Sequence, residues 1–213
     1  MKIDQMDEKT IADIGHAFAY YDYGAERGLV SAFAQKKQTA IYIEGFARAM
    51  LKAGLMYTTG ERQEGFIAYK RPGQKISMSA YMPLLKGVVK SMSFGEMIRF
   101  ARSMGKGGTS LRQQMDKAKT PYIYVGMVCV REAYQGQGYM RKVMDIAFAE
   151  GNRLGVPVIL ETDAKSKCDK YVHLGMELAG VRDIGEFGKL YDLIKKPDAE
   201  KQQSVSMEAS TSK

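Results

Sequence analysis

Apolar residues recur at helical spacing through Ile43, Phe46, Ala47, Met50 and Leu51, and Gly54 follows as a stop. The chain up to about residue 54 therefore reads as helical. Two short apolar runs come next, at 55–58 and 65–70, with a turn through Gly60 between them, and both are expected to be strands. Arg71-Pro72-Gly73 closes the second, and 75–81 is expected to pair with it.

From residue 82 to 119 the pattern predicts a helical block. Ser93 with Glu96 makes a capping box ahead of Met97, Ala101 and Met104, and Ser110 with Gln113 makes another. The glycine-rich 105–108 segment between them reads as a joint. It is not a phosphate-binding Walker loop, because no Gly-Lys is followed by Ser or Thr. Residues 122–130 are β-branched and aromatic, and predict a buried strand. After the turn at 135–138, Met140, Val143, Met144, Ala147, Phe148 and Leu154 share one helical face, and Gly155 ends it. A strand from 158 to 160 completes a β-α-β unit. A short helix near 169–174 and strands at 176–181 and 189–194 follow.

Composition narrows the chemistry. The chain has 213 residues, 45% hydrophobic and 26% charged, the balance of a globular domain. No apolar run approaches the roughly 18 residues of a membrane span. The polar N-terminus lacks a signal-peptide core, so a cytoplasmic protein with no membrane partner is expected. Two distant cysteines, Cys129 and Cys168, and two histidines, His16 and His173, offer neither a zinc pattern nor a disulfide framework, and no metal is expected. The net charge is +8, and Lys86, Lys90, Arg99, Arg102, Lys106, Arg112, Lys117 and Lys119 face only Glu96 and Asp116 within 82–119. Such a segment attracts anions, although solvated helix faces give the same composition.

The turn Gln135-Gly136-Gln137-Gly138-Tyr139-Met140 is the candidate site. Its glycines let backbone approach a ligand, and the N–H groups of the following helix suit phosphate. A dinucleotide-binding fingerprint would place a third glycine where Arg141 stands. The segment from 122 to about 183 resembles the core of the GNAT superfamily of N-acetyltransferases. There a strand leads to Gln or Arg, two residues, Gly, one residue, and Gly or Ala opening a helix. Gln135 and Gly138 match in register, with Gly136 an additional glycine between them, and Tyr171 precedes a Leu174-Gly175-Met176 turn similar to the family's Leu-Gly-Phe. Two positions depart: Met140 replaces a usual Gly or Ala, and Lys167 stands where many members have Asn.

The resemblance implies acetyl-coenzyme A as co-substrate and a small-molecule or protein amine as acceptor, attacked in a ternary complex. It implies that Val128, Cys129 and Val130 pair with the pantetheine arm, and that Gln135, Gly136, Gln137, Gly138, Tyr139, Met140 and Arg141 hold the pyrophosphate. It also implies Tyr171 as the acid that protonates the leaving thiolate. Glu44, Glu64 and Glu161 are candidate bases, and a water chain is an alternative to all three. A packing role for Tyr171 competes with the catalytic one, and Cys129 reads as a small buried hydrophobe rather than a nucleophile.

The expected fold is α/β, a GNAT-like mixed, mostly antiparallel sheet with helices on both faces and a helical insertion, 82–119, before the coenzyme-binding strand. Residues 1–197 are expected to form one domain and 198–213 a disordered polar tail. A non-catalytic acyl-coenzyme A-binding regulatory domain is the alternative function. A nucleic-acid-binding module ranks below both, for want of a recognisable motif. The acceptor and the oligomeric state are left open.

Overall fold

The computed structural model describes residues 1–198. The helices are α1 (Glu8–Ala19), α2 (Lys36–Lys52), α3 (Met82–Ser91), α4 (Phe94–Lys106), α5 (Leu111–Lys117), α6 (Tyr139–Leu154) and α7 (Lys165–His173). The strands are β1 (Met56–Thr58), β2 (Gly65–Lys70), β3 (Ile123–Val130), β4 (Val158–Thr162), β5 (Glu177–Asp183) and β6 (Lys189–Lys195). They form one sheet in the order β1-β2-β3-β4-β6-β5. Among the described residues only β3 and β4 run parallel, joined by α6 as the crossover, and every other pair is antiparallel.

Caps explain where the helices begin. The Asp7 carboxylate accepts from the Thr10 N–H at 2.6 Å, and Ser93–Glu96 and Ser110–Gln113 form the capping boxes read from the sequence. The expected strand at 75–81 does not form. Strand β2 already has β1 on one edge and β3 on the other, so no edge is left for a third partner. Met78–Tyr81 instead forms a 3-10 turn that leads into α3, where Pro83 suits the first turn.

Apolar side chains cover both faces of the sheet. On one face α6 and α7 bury Val143, Met144, Ala147 and Cys168 against Ile67, Tyr69, Ile123, Val125, Val158 and Leu160. On the other, Ile14 of α1 and Ile43, Ala47 and Met50 of α2 cover Met56, Phe66, Ala68, Met127 and Cys129.

Strand β3 changes face partway along. Ile123 and Val125 point to the α6 side, yet Met127 and Cys129, in the same alternation, point to the α1–α2 side. The register explains this: Tyr69 pairs with Val125 and Ala68 with Met127, so Gly126 is one extra residue, a β-bulge. Pairing of β3 with β4 runs from Ile123↔Val158 to Val125↔Leu160 and stops there. The bulge bends β3 away from β4 where the parallel ladder ends, and the edge of β3 that faced β4 is left without a strand partner over 126–130. Asp198 bonds Asn152 and Lys195. The rest of the expected tail, 199–213, lies outside the described residues.

Candidate active site

The divergence of β3 and β4 opens a groove of about 770 Å³. Val128, Cys129 and Val130 form one wall, the 134–140 turn closes one end, and α7 forms the opposite wall through Lys167, Lys170 and Tyr171. Ala17, Phe18 and Tyr21, around the end of α1, roof it, and no feature of the sequence singled these out.

At the turn, Gly136 and Gly138 have φ of 74° and 77°, the left-handed region that costs a side chain strain. No atom lies within 4 Å of where a Cβ would stand on either, so backbone conformation rather than crowding demands glycine. Gly138 is the N-cap of α6 and supplies no side-chain acceptor. The first N–H groups of α6 consequently face the groove mouth without a cap, a suitable place for phosphate.

Of the residues expected to hold the coenzyme, Val128, Cys129, Val130, Gln135, Gly136, Gly138, Tyr139 and Met140 come together on the groove wall. The side chains of Gln137 and Arg141 do not. Gln137 turns back to the Ala133 carbonyl at 3.0 Å, and Arg141 reaches the His173 carbonyl at 3.4 Å. Cys129 is fully buried, and burial pushes its thiol up to about 12, which keeps it protonated at neutral pH.

Tyr171 lies on the buried face of α7 with its ring against the groove. Its hydroxyl has no hydrogen-bond partner among the described residues. Burial, followed by the negative charge of Asp163, raises its pKa, so the phenol carries its proton at neutral pH. Lys167, beside it, donates to Asp163 Oδ1 at 2.7 Å and to the Tyr23 hydroxyl at 2.9 Å, and its Nζ stands 4.4 Å from the Tyr21 and Tyr23 ring centres. Asp163 also accepts from the Leu29 N–H and from Tyr23, both at 2.7 Å.

A second cavity of about 220 Å³ shares Phe18 and Lys167 with the groove. Leu29, Phe100, Met104, Phe187 and Leu190 line it, with Glu161, Thr162 and Asp163 from the end of β4. Phe100 and Met104 belong to α4, so the basic helical block forms part of its wall.

The three candidate bases differ in surroundings. Glu44 bonds Arg48 and lies between α1 and α2, against Gly15. The Glu64 carboxyl is held below its usual range by its own backbone N–H and by the Thr59 hydroxyl at 2.8 Å. Glu161 faces the second cavity; burial raises its pKa, although the paired Arg182 pulls the other way. Arg182 also binds Asp192 at 2.9 Å.

The groove is thus edged by a free strand, ends at glycine backbone and an uncapped helix, and carries a protonated phenol on its wall. Residues 97–168 match the acetyltransferase (GNAT) family. The chain has the fold of GNAT acetyltransferases. A histone acetyltransferase HPA2 and related acetyltransferase from Corynebacterium glutamicum ATCC 13032 superposes with a TM-score of 0.59 at 16% identity, over 93% of this chain and 95% of that one. PH1933 from Pyrococcus horikoshii OT3 gives 0.51 at 13% identity, over 93% and 97%. A further acetyltransferase gives 0.51 at 13%, over 92% and 97%. At these identities the likeness is one of fold. No curated protein matches the sequence. The GNAT match ends at Cys168, just short of Tyr171.

Sequence reasoning missed Gly126, although an isolated glycine inside a strand is itself a bulge signal.

Proposed function

We propose that the protein is an acetyl-coenzyme A-dependent N-acetyltransferase. The observation that carries this reading is the departure of β3 from β4 at Gly126, which leaves a free strand edge opposite the unpartnered hydroxyl of Tyr171.

The residues present fit the coenzyme. The free edge of β3 offers backbone N–H and C=O groups to an amide-bearing arm, as an added strand would. The turn at 135–140 offers N–H groups to a pyrophosphate, and Lys170 adds positive charge to the same groove. Acetyl-coenzyme A supplies the acetyl group as a thioester, whose C–S bond breaks as the C–N bond to the amine forms.

Tyr171 gives its proton to the departing sulfur, and the raised pKa ensures that the proton is there to give. The backbone N–H groups of Val128 and Val130, which alternate with the β2-bonded Cys129 and point off the free edge, stabilise negative charge on the acyl oxygen without rearranging. Glu161, directly or through water, takes the proton that the amine loses: it lines the second cavity, and burial raises its pKa, whereas hydrogen bonds lower that of Glu64. Water then returns that proton to Tyr171. The amine reaches the reaction from the second cavity, which shares two wall residues with the groove.

The test is release of free thiol from acetyl-coenzyme A in the presence of a panel of amines. Acetylated amine formed in step with thiol supports the reading. Tight coenzyme binding with no release from any amine would instead favour a regulatory acyl-coenzyme A-binding domain.

A further inference from the structure

The cavity beside the groove has a size and polarity that select among amines. We infer that the acceptor is a small primary monoamine carrying an apolar or aromatic body, rather than a polyamine or a lysine in a basic peptide. This inference rests on the N-acetyltransferase reading and specifies its substrate.

Size gives the first argument. About 220 Å³ is below the ~300 Å³ at which drug-sized ligand pockets begin, so the cavity accommodates one small body rather than a folded-back chain.

Polarity gives the second. Phe18, Phe100, Met104, Phe187 and Leu190 supply the walls. Both carboxylates that reach the cavity are already engaged: Asp163 by Lys167, Tyr23 and the Leu29 N–H, and Glu161 by Arg182. Among the described residues no unpaired carboxylate is left there to receive a second ammonium, which would be desolvated without compensation.

Charge near Phe187 gives the third. Arg99 lies over the Phe187 ring, 5.7 Å from its centre, and pairs with the Glu186 carboxylate at 3.7 Å, while Arg27 donates to the Glu186 carbonyl at 2.8 Å. Two guanidiniums against one carboxylate leave this side of the cavity net positive, which disfavours a polycation. An apolar wall also favours the neutral form of the attacking amine, the form whose lone pair is free.

The full-length protein, with acetyl-coenzyme A, should be assayed for thiol release with 2-phenylethylamine, isobutylamine, putrescine, spermidine and a lysine-containing basic peptide. The expected result is a kcat/KM for 2-phenylethylamine at least about tenfold above that for putrescine, the discrimination an apolar pocket gives. Met104→Glu places a carboxylate in the cavity and should shift the ratio toward putrescine by about tenfold or more. The rise in Tm on adding acetyl-coenzyme A serves as its fold control. If that variant does not fold, Phe100→Ala, which removes one wall, should lower kcat/KM for 2-phenylethylamine more than for isobutylamine. Fastest turnover of putrescine, spermidine or the peptide would overturn the inference and leave acetyl transfer standing. An unmoved ratio in folded Met104→Glu would also overturn it. Thiol release with none of the amines, while coenzyme binds, would overturn both the inference and the reading beneath it.

Discussion

Val125 and Leu160 are the last residues at which β3 and β4 face each other as sheet partners. One residue on, the bulge at Gly126 turns β3 outward, and the groove begins there. The site is thus a consequence of sheet geometry, and the groove-facing residues of 128–130 are presented by a strand that is still held to β2 along its other edge. Such support keeps the free edge in place before any ligand arrives.

The glycine turn gives the first prediction. Gly138→Asp should weaken acetyl-coenzyme A binding by roughly tenfold or more, because a carboxylate at the mouth of α6 repels the pyrophosphate. Gly138→Asn is the control, since Asn tolerates a left-handed backbone and carries no charge. Calorimetric titration of both should show a much larger loss for Asp; equal losses would mean that backbone strain, not charge, governs the turn.

Tyr171→Phe keeps the ring and its packing and removes the proton. Turnover should fall by about 10²-fold, in kcat more than in KM, with coenzyme affinity nearly unchanged. Unaltered kcat would make Tyr171 a packing residue.

Much of this was readable beforehand, and the reasons differ by element. The strand at 65–70 and the helix opened by Gly138 announce themselves through apolar period and punctuation, which are local properties. The failed strand at 75–81 depends on whether β2 has a spare edge, and that is a fact of topology beyond any local window. The groove wall on β3 was legible because motif and fold share one segment. Phe18 and Tyr21 were not, since only packing brings α1 over a site more than a hundred residues away. The second cavity is similar: Leu29, Phe100 and Phe187 come from three distant parts of the chain.

Glu161→Gln tests the base. Glu161 must be ionised to accept a proton, and its pKa is raised, so wild-type kcat/KM should climb with pH along a limb above the ordinary carboxylate range. The Gln variant should lose that limb and about 10²-fold in rate on the plateau. A pH–rate profile with the limb intact in the variant would assign it to another group.

A stability prediction is independent of the site. Glu150 accepts from Arg153 at 2.8 and 2.9 Å and from Arg71, and these bonds hold its pKa down to about 2. A depressed folded-state pKa contributes stability that is present above the ordinary carboxylate value and lost as pH falls toward 2. Because Arg153 is exposed, screening limits the contribution to about 1–2 kcal/mol. Glu150→Gln should be destabilised by that amount at pH 7 in urea unfolding, and the gap should close toward pH 2. A gap constant with pH would mean that the loss is one of packing.

The most direct test of the central claim is hydrogen–deuterium exchange with and without saturating acetyl-coenzyme A. Binding along the free edge of β3 predicts slowed exchange concentrated in peptides covering 126–130 and 135–141, with the β1–β2 amides unaffected. Unchanged exchange in both segments at millimolar coenzyme, or protection confined to another part of the chain, would contradict the account.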